Sequence, residues 1–249
     1  MRDIQDYAMK YQEDPCEKYQ VRYRREKIME LMSSCRHETV LEIGCGMEPL
    51  FEYVKDYSKM VIVEPGDVFI QNARKKAQES GSNVVCIQGF LEEKTQQAKE
   101  ACHDYDFIVL SSLLHEVDEP EKLLQAVSCI CSKETIVHIN VPNADSIHRL
   151  LAKEMGLIQD VHEVSDLQKA LQNNRVFDLD SLCEIVGRCG FEVLDKGTYF
   201  PKLFSAGQMG RMLEEGIIKE DIFEGLNKMI QYFPQYGSEI YVQVKKALV

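Results

Sequence analysis

Two glycines one residue apart close a short apolar run, Val40-Leu41-Glu42-Ile43-Gly44-Cys45-Gly46. Glycine lets a chain turn sharply and lets a ligand approach the backbone closely. A second apolar run, VIVEP, ends on Glu64, 18 residues beyond Gly46, followed by Pro65. An acidic side chain at that place can accept hydrogen bonds from both hydroxyls of a ribose. A third run ends in Gln88-Gly89-Phe90-Leu91, whose bulky pair can flank a purine ring. A fourth ends in Ser111-Ser112-Leu113-Leu114-His115, which would lie across the same ligand. A lone GxG serves equally well as a plain tight turn. Its coincidence with the other three run ends makes a nucleoside site.

The charges decide between nucleosides. A dinucleotide site takes a third glycine three residues after the second, so that helix and strand close around a pyrophosphate. Pro49 stands at that position, and Glu48 beside it would repel a phosphate. Glu42, just before the glycines, suits a ligand carrying an amine. S-adenosylmethionine has no phosphate and bears a sulfonium and an amine, so the charge pattern favours it over NAD.

These residues need a scaffold that brings four run ends together. Five short apolar runs (ETVLEIGCG, MVIVEP, NVVCIQG, DYDFIVLSS, ETIVHINVP) alternate with helical patterns (PLFEYVKDY, VFIQNARKKAQES, TQQAKEACHD, PEKLLQAVSCICS). Such alternation implies a parallel sheet with helices on both faces. FEVLDKGTYF and SEIYVQVKKAL add two strands, the helix LDSLCEIVGRCG preceding the first of them. The expected fold is α/β: a Rossmann-like, doubly wound, seven-stranded sheet, mostly parallel with an antiparallel last strand, carrying helical cap insertions. Residues 1 to 36 read as an N-terminal helical lid on a domain spanning 37 to 249. Insertions are expected at about 143–176, with helices around SIHRLLAKEMG and SDLQKALQN, and at about 201–235. All three segments can cap the carboxyl ends of the strands, where open α/β sheets bind ligands.

Glu42-Ile43-Gly44-Cys45-Gly46, Glu64-Pro65, Gly89-Phe90-Leu91 and SSLLHEVDEPEKLL resemble, in order, the motifs of class I S-adenosylmethionine-dependent methyltransferases. The resemblance covers roughly residues 37 to 142. It departs at Glu48, where many members have a third glycine. It implies that Gly44, Cys45 and Gly46 meet the methionine part through backbone, Glu64 the ribose, and Phe90 and Leu91 the adenine, with Ser111 and Ser112 bordering the transfer site and S-adenosylhomocysteine as product. VPNADSIHRLLAKEMGLI, NNRVFDLDSL and GSEIYV further resemble methyltransferases of surface-polysaccharide and nucleotide-sugar pathways. That implies O-methylation of a polar metabolite or a sugar or glycan precursor. Methylation of nitrogen, carbon or a protein side chain, and a noncatalytic partner protein on the same fold, stay open.

Methyl transfer is an in-line displacement that requires alignment, and a hydroxyl acceptor gains from a general base. Of six histidines, His115 is the expected base, beside the cofactor edge; its bland alternative is a fold-stabilising residue next to Glu116. His162 ranks second, His138 reads as a buried core histidine, and His37 and His103 as surface residues. His148 and Arg149 in the first insertion, with Arg175, can hold an anionic acceptor, or simply sit on solvated surfaces. Asn140 and Asn143 can meet the acceptor. Tyr7, Tyr11, Tyr19 and Tyr23 recur at helical spacing, which suits packing; as a lid, Tyr19 would touch the cofactor and Tyr11 with Arg22 the acceptor. The expected partner is a small molecule, with an anionic acceptor admissible.

The formal net charge of −12 disfavours nucleic acid and anionic membrane, although Arg22, Arg24, Arg25 and Lys27 form a local basic patch. No apolar run reaches about 18 residues, and the polar start has no signal segment, so a cytoplasmic place is expected. Nine cysteines without a CxxC pair suggest reduced, mostly buried thiols and no metal site.

Overall fold

A computed structural model describes residues 16–164 and 174–247. Five strands run parallel: β1 (Thr39–Ile43), β2 (Lys59–Glu64), β3 (Val84–Gln88), β4 (Phe107–Ser111) and β5 (Ile136–Pro142). β6 (Phe191–Tyr199) and β7 (Glu239–Lys246) complete a seven-stranded sheet in the order β3-β2-β1-β4-β5-β7-β6. β7 is antiparallel to both its neighbours. This is the expected Rossmann-like sheet, with its chain reversal between β1 and β4, where both strands' carboxyl ends face one crevice.

The central strands are apolar because both faces are covered. Met60, Val61, Ile62 and Val63 of β2 are all buried. One face packs on α3 (Leu91–Ala101), α4 (Pro120–Ile130) and α6 (Leu179–Arg188) through Leu124, Val127, Leu182 and Val186. The other packs on α2 (Asp67–Ser80) through Phe69, Ile70 and Ala73, and on the end of α1 (Glu17–Ser33) through Ile28 and Met32. β3 and β6 are the edge strands; β6 is bulged between Val193 and Asp195 and carries exposed charges, which guards a sheet edge against further pairing.

The segment expected as a helix at PLFEYVKDY forms only a 3-10 turn, Leu50–Glu52. The Glu42 carboxylate accepts the Leu50 amide on both oxygens, at 3.2 and 3.0 Å. That caps one turn, and the few residues left before β2 cannot repay helix nucleation.

α5 (Ile147–Glu154) follows β5, and α7 (Ala206–Glu214) and α8 (Asp221–Lys228) lie between β6 and β7. The expected helix SDLQKALQN lies outside the described residues, as do Tyr7 and Tyr11. α1 lays one face on the body. Cys16, Tyr19, Gln20 and Tyr23 are buried on it, and Tyr19 and Tyr23 join Tyr199, Phe200, Met209 and Phe223 in a separate core. No described helix is long and apolar enough to cross a membrane. The thiols differ from expectation: only Cys16, Cys45 and Cys131 are buried, and Cys129 is exposed. The others are half-buried.

Candidate active site

The glycine turn leaves β1 with Gly44 at φ +77° and Gly46 at φ +54°, a backbone that side chains other than glycine adopt only with strain. A Cβ on Gly44 would also meet Leu113 Cδ2 at 3.3 Å. The loop after β4 therefore rests directly on the turn after β1. Gly44 is held by its amide, which donates to the Val63 carbonyl at 3.0 Å.

Glu64 ties the turn to β2. Its Oε2 accepts the Cys45 amide at 3.1 Å and its Oε1 the Gly66 amide at 2.6 Å. These two amides orient the carboxylate at the lip of the turn. The Gly89 amide donates to the Glu64 carbonyl at 3.1 Å, bringing the third run end alongside. Gly89 has φ +140°, and a Cβ there would meet Lys94 Cε at 2.6 Å. Phe90 is partly exposed beside it.

Two expectations change here. Leu91 is 2% exposed and packs in the main core; as the first residue of α3 its side chain turns down onto the sheet, not toward a base. The Cys45 amide is committed to Glu64. Burial, with Glu42 and Glu64 near, holds the Cys45 thiol far above its usual pKa, which keeps it protonated and inert.

Glu42 is enclosed with Glu64 close by. Burial, against the Leu50 amide but aided by Glu64, pushes its carboxyl up to about 8. A cation nearby would reverse that. Glu48, in place of the third glycine, accepts from Arg25 Nη1 at 2.6 Å, and Arg25 stacks 3.4 Å from the Tyr53 ring centroid. The departure from GxGxG thus fastens α1 to the glycine turn.

The carboxyl ends of β4 and β5 carry the other half. Ser111 stands opposite Asn140, and the Ser112 amide donates to the Asn140 carbonyl at 3.0 Å. Ser112 adopts φ +52°, a conformation rare outside glycine and asparagine, and it swings Leu113 toward Gly44. His115 follows, 4% exposed, with Nε2 3.9 Å from Glu116 Oε1. Asn174 and Arg175 staple this loop: Asn174 Nδ2 donates to the Glu116 carbonyl at 2.9 Å, and Arg175 Nη2 to the Asp118 carbonyl at 3.0 Å.

Several expected acceptor residues are struts. Arg175 braces the His115 loop. Arg149 Nε and Nη2 donate to the Val161 and Glu163 carbonyls at 2.9 and 2.6 Å, pinning the chain after α5. Asn143 Nδ2 donates to the Gly237 carbonyl at 2.8 Å and its Oδ1 accepts the Asp145 amide, a local turn. Tyr19 stacks on Phe223 with centroids 3.9 Å apart, so it anchors α1 to α8. Arg22 lies on the open side of α1, paired with Glu26 at 2.7 Å. His162 bridges Asp160 and Asp178 on the surface, and His138 is sealed in the sheet, where burial drops its pKa to about 4.

The arginine that points inward is Arg24. Its Nη2 meets Glu239 Oε1 at 2.6 Å, and Gln20 Nε2 donates to the same oxygen at 2.6 Å. Asn140 Nδ2 reaches Glu239 Oε2 at 3.4 Å, and Lys202 Nζ donates to Gln20 Oε1 at 2.8 Å. Burial works to raise the Glu239 pKa, but Arg24 and Gln20 outweigh it and hold the carboxylate below its usual range. His115 adds to that field, which puts the expected base beside this cluster. The sequence pointed to Asn140 and, for a phosphate, to a patch including Arg24. Gln20, Lys202 and Glu239 were missed, since only a 3.6-residue period for α1 phased on Tyr19 and Tyr23 would put Gln20 and Arg24 inward. Among the described residues, no group of three or more His, Cys, Asp or Glu could hold a metal ion.

A family model described as a methyltransferase domain matches residues 17–196. No curated protein sequence matches at a significant level. Among solved structures, the 1,6-didemethyltoxoflavin-N1-methyltransferase of Burkholderia thailandensis, with 1,6-didemethyltoxoflavin and S-adenosylhomocysteine bound, superposes with TM-score 0.58 at 13% identity, over 91% of this chain and 78% of that one. The N-methyltransferase NodS of Bradyrhizobium japonicum, in complex with S-adenosylhomocysteine, gives 0.56 at 10% identity over 90% and 86%. An S-adenosylmethionine-dependent methyltransferase of Clostridium acetobutylicum gives 0.55 at 10% identity over 90% and 91%. At such identities the likeness is one of fold.

Proposed function

The chain belongs to the methyltransferase domain family, and from that premise we propose that it moves the methyl group of S-adenosylmethionine to a hydroxyl of a polar small molecule, a sugar or glycan precursor being the class its sequence resemblance suggests. The observation that carries the donor assignment is Glu64, whose carboxylate ends β2 and is oriented by backbone amides at the lip of a positive-φ glycine turn. A carboxylate so placed is the acceptor type that takes ribose hydroxyls. Glu42, enclosed beneath the turn, suits the ligand's cationic end. Phe90 offers a face for the adenine.

Bound there, S-adenosylmethionine supplies an electrophilic methyl on a sulfonium. The residues of this chain do the rest. The loop Ser111–His115 covers the glycine turn and sets the transfer site at the ends of β4 and β5. His115 takes the acceptor's proton as it attacks; Glu116 and Glu239 lie near and favour the imidazolium that results. Burial excludes water from the exchange.

The experiment supplies a methyl-labelled donor with a set of sugars, sugar acids and hydroxylated metabolites, and identifies the labelled product by the chemical shift of its methyl. An O-methyl product supports the reading. The His115→Ala variant should then lose roughly a hundredfold or more in turnover while keeping its affinity for S-adenosylhomocysteine; unchanged turnover removes His115 from the mechanism. A nitrogen acceptor is the second reading, because two of the structural neighbours are named as N-methyltransferases. An N-methyl product would establish it, and the dependence on a base would then fall.

A further inference from the structure

The cluster holds a second buried cation beside the Arg24–Glu239 pair. Glu239 is matched by Arg24 and Gln20. Lys202 is 6% exposed, with no carboxylate within ion-pair distance among the described residues, and its ammonium donates to the neutral amide oxygen of Gln20 at 2.8 Å. A buried ammonium satisfied by one amide is expensive, because a charge removed from water needs a counter-charge. Two further donors lie buried with no hydrogen-bond partner among the described residues, His148 Nδ1 and Arg24 Nε. His148 is near enough to Lys202 for that charge, after burial, to hold its imidazole neutral.

The three side chains come from three separate segments. Arg24 lies on α1, His148 on α5, and Lys202 follows β6, two residues after Phe200, which takes φ +52° and whose carbonyl accepts the Ser238 amide at 3.0 Å. Gln20 and Glu239 link Lys202 to Arg24, and the Lys202 charge reaches His148. Packing alone would not require a second buried cation there, since Tyr19, Tyr23, Phe200 and Phe223 already seat α1.

We propose that Lys202, with His148 beside it, binds an oxyanion of the methyl acceptor, a carboxylate or phosphate group, and so selects acidic over neutral acceptors. This rests on the methyltransferase reading. The site holds a charge on the acceptor while His115 faces its nucleophile, so Lys202 fixes which hydroxyl reaches the methyl group.

The test uses the full chain saturated with S-adenosylhomocysteine, whose binding is measured first. Melting temperature is followed against inorganic phosphate, acetate and chloride at equal ionic strength. We expect phosphate or acetate to raise it saturably, by about 3 °C at ten times the dissociation constant, with chloride inert. Phosphate alone would indicate a phosphorylated acceptor, acetate alone a carboxylate. Lys202→Met should keep its affinity for S-adenosylhomocysteine and lose the anion response, which separates a bound anion from general salt stabilisation. If that variant does not fold, His148→Leu carries the test, with anion affinity expected to fall at least threefold. Equal melting in the three salts, or an unaltered response in the variant that folds, overturns the proposal. Failure of the wild type to bind S-adenosylhomocysteine would overturn the methyltransferase reading instead.

Discussion

The two halves of the sheet's carboxyl edge are built by different means. Over β1, β2 and β3, the candidate donor site is mostly backbone: positive-φ glycines, amides turned onto Glu64, and a loop resting where Gly44 has no side chain. Over β4, β5 and β7, the candidate acceptor site is mostly side chains brought from far apart, with Gln20, Arg24, Lys202 and Glu239 meeting across up to 219 positions of sequence. The first kind of site needs particular residues at fixed local offsets. The second needs only that distant segments agree on charge, so it is free to change with the acceptor.

The sharpest break of the second half is Glu239→Gln. It leaves Arg24 buried without its counter-charge, and urea unfolding should show a loss of roughly 3–5 kcal/mol. The same variant should lose an acid dependence. The folded pKa of Glu239 lies below its unfolded value, so its contribution is present above the unfolded pKa and disappears as pH falls through the folded one. A wild type and variant that lose stability in parallel on acidification would show that Glu239 is not ionised.

A subtler probe addresses the first half. Glu42 has its carboxyl raised to about 8, so it holds a proton at neutral pH until a cation arrives. Binding of S-adenosylhomocysteine, through its amine, should therefore release a proton near pH 7. Calorimetry in buffers of different ionisation enthalpy counts it. Glu42→Gln should bind without that release, and a release unchanged in the variant would assign the proton elsewhere.

Arg22→Ala should do least. Its side chain is 56% exposed and paired only along the helix with Glu26, so stability should move by no more than about 0.5 kcal/mol. Arg24, two residues away, should be far more costly to remove. Equal costs for the two would mean that α1 is rotated from the orientation described.

This contrast also explains what the sequence disclosed. The alternation of apolar runs and helical patterns reports local periodicity, and the sheet followed from it. The run ends at Gly44, Glu64 and Ser112 are local as well, so the residues of the candidate donor half could be picked out from their spacing. Leu91 misled because a helix's first residue can face either the cleft or the core, and the run end looks the same in both cases. PLFEYVKDY misled because its termination depends on Glu42, eight residues earlier. Arg22, Arg149 and Arg175 were drawn to the acceptor by their charge and their place in the expected lid and first insertion, yet two of the three bond to backbone carbonyls. Glu239 could not have been found locally: it opens an apolar strand, and its partners lie in a helix more than 200 residues away.

The central claim is that the glycine turn and Glu64 hold S-adenosylmethionine. Calorimetric titration of the purified protein with S-adenosylhomocysteine and with NADH, beside a Glu64→Ala variant, tests it most directly. The account predicts micromolar binding of S-adenosylhomocysteine, weakened tenfold or more in the variant, and none of NADH. A folded, ligand-free wild type that fails to bind S-adenosylhomocysteine, or a variant that binds it equally well, would contradict the account.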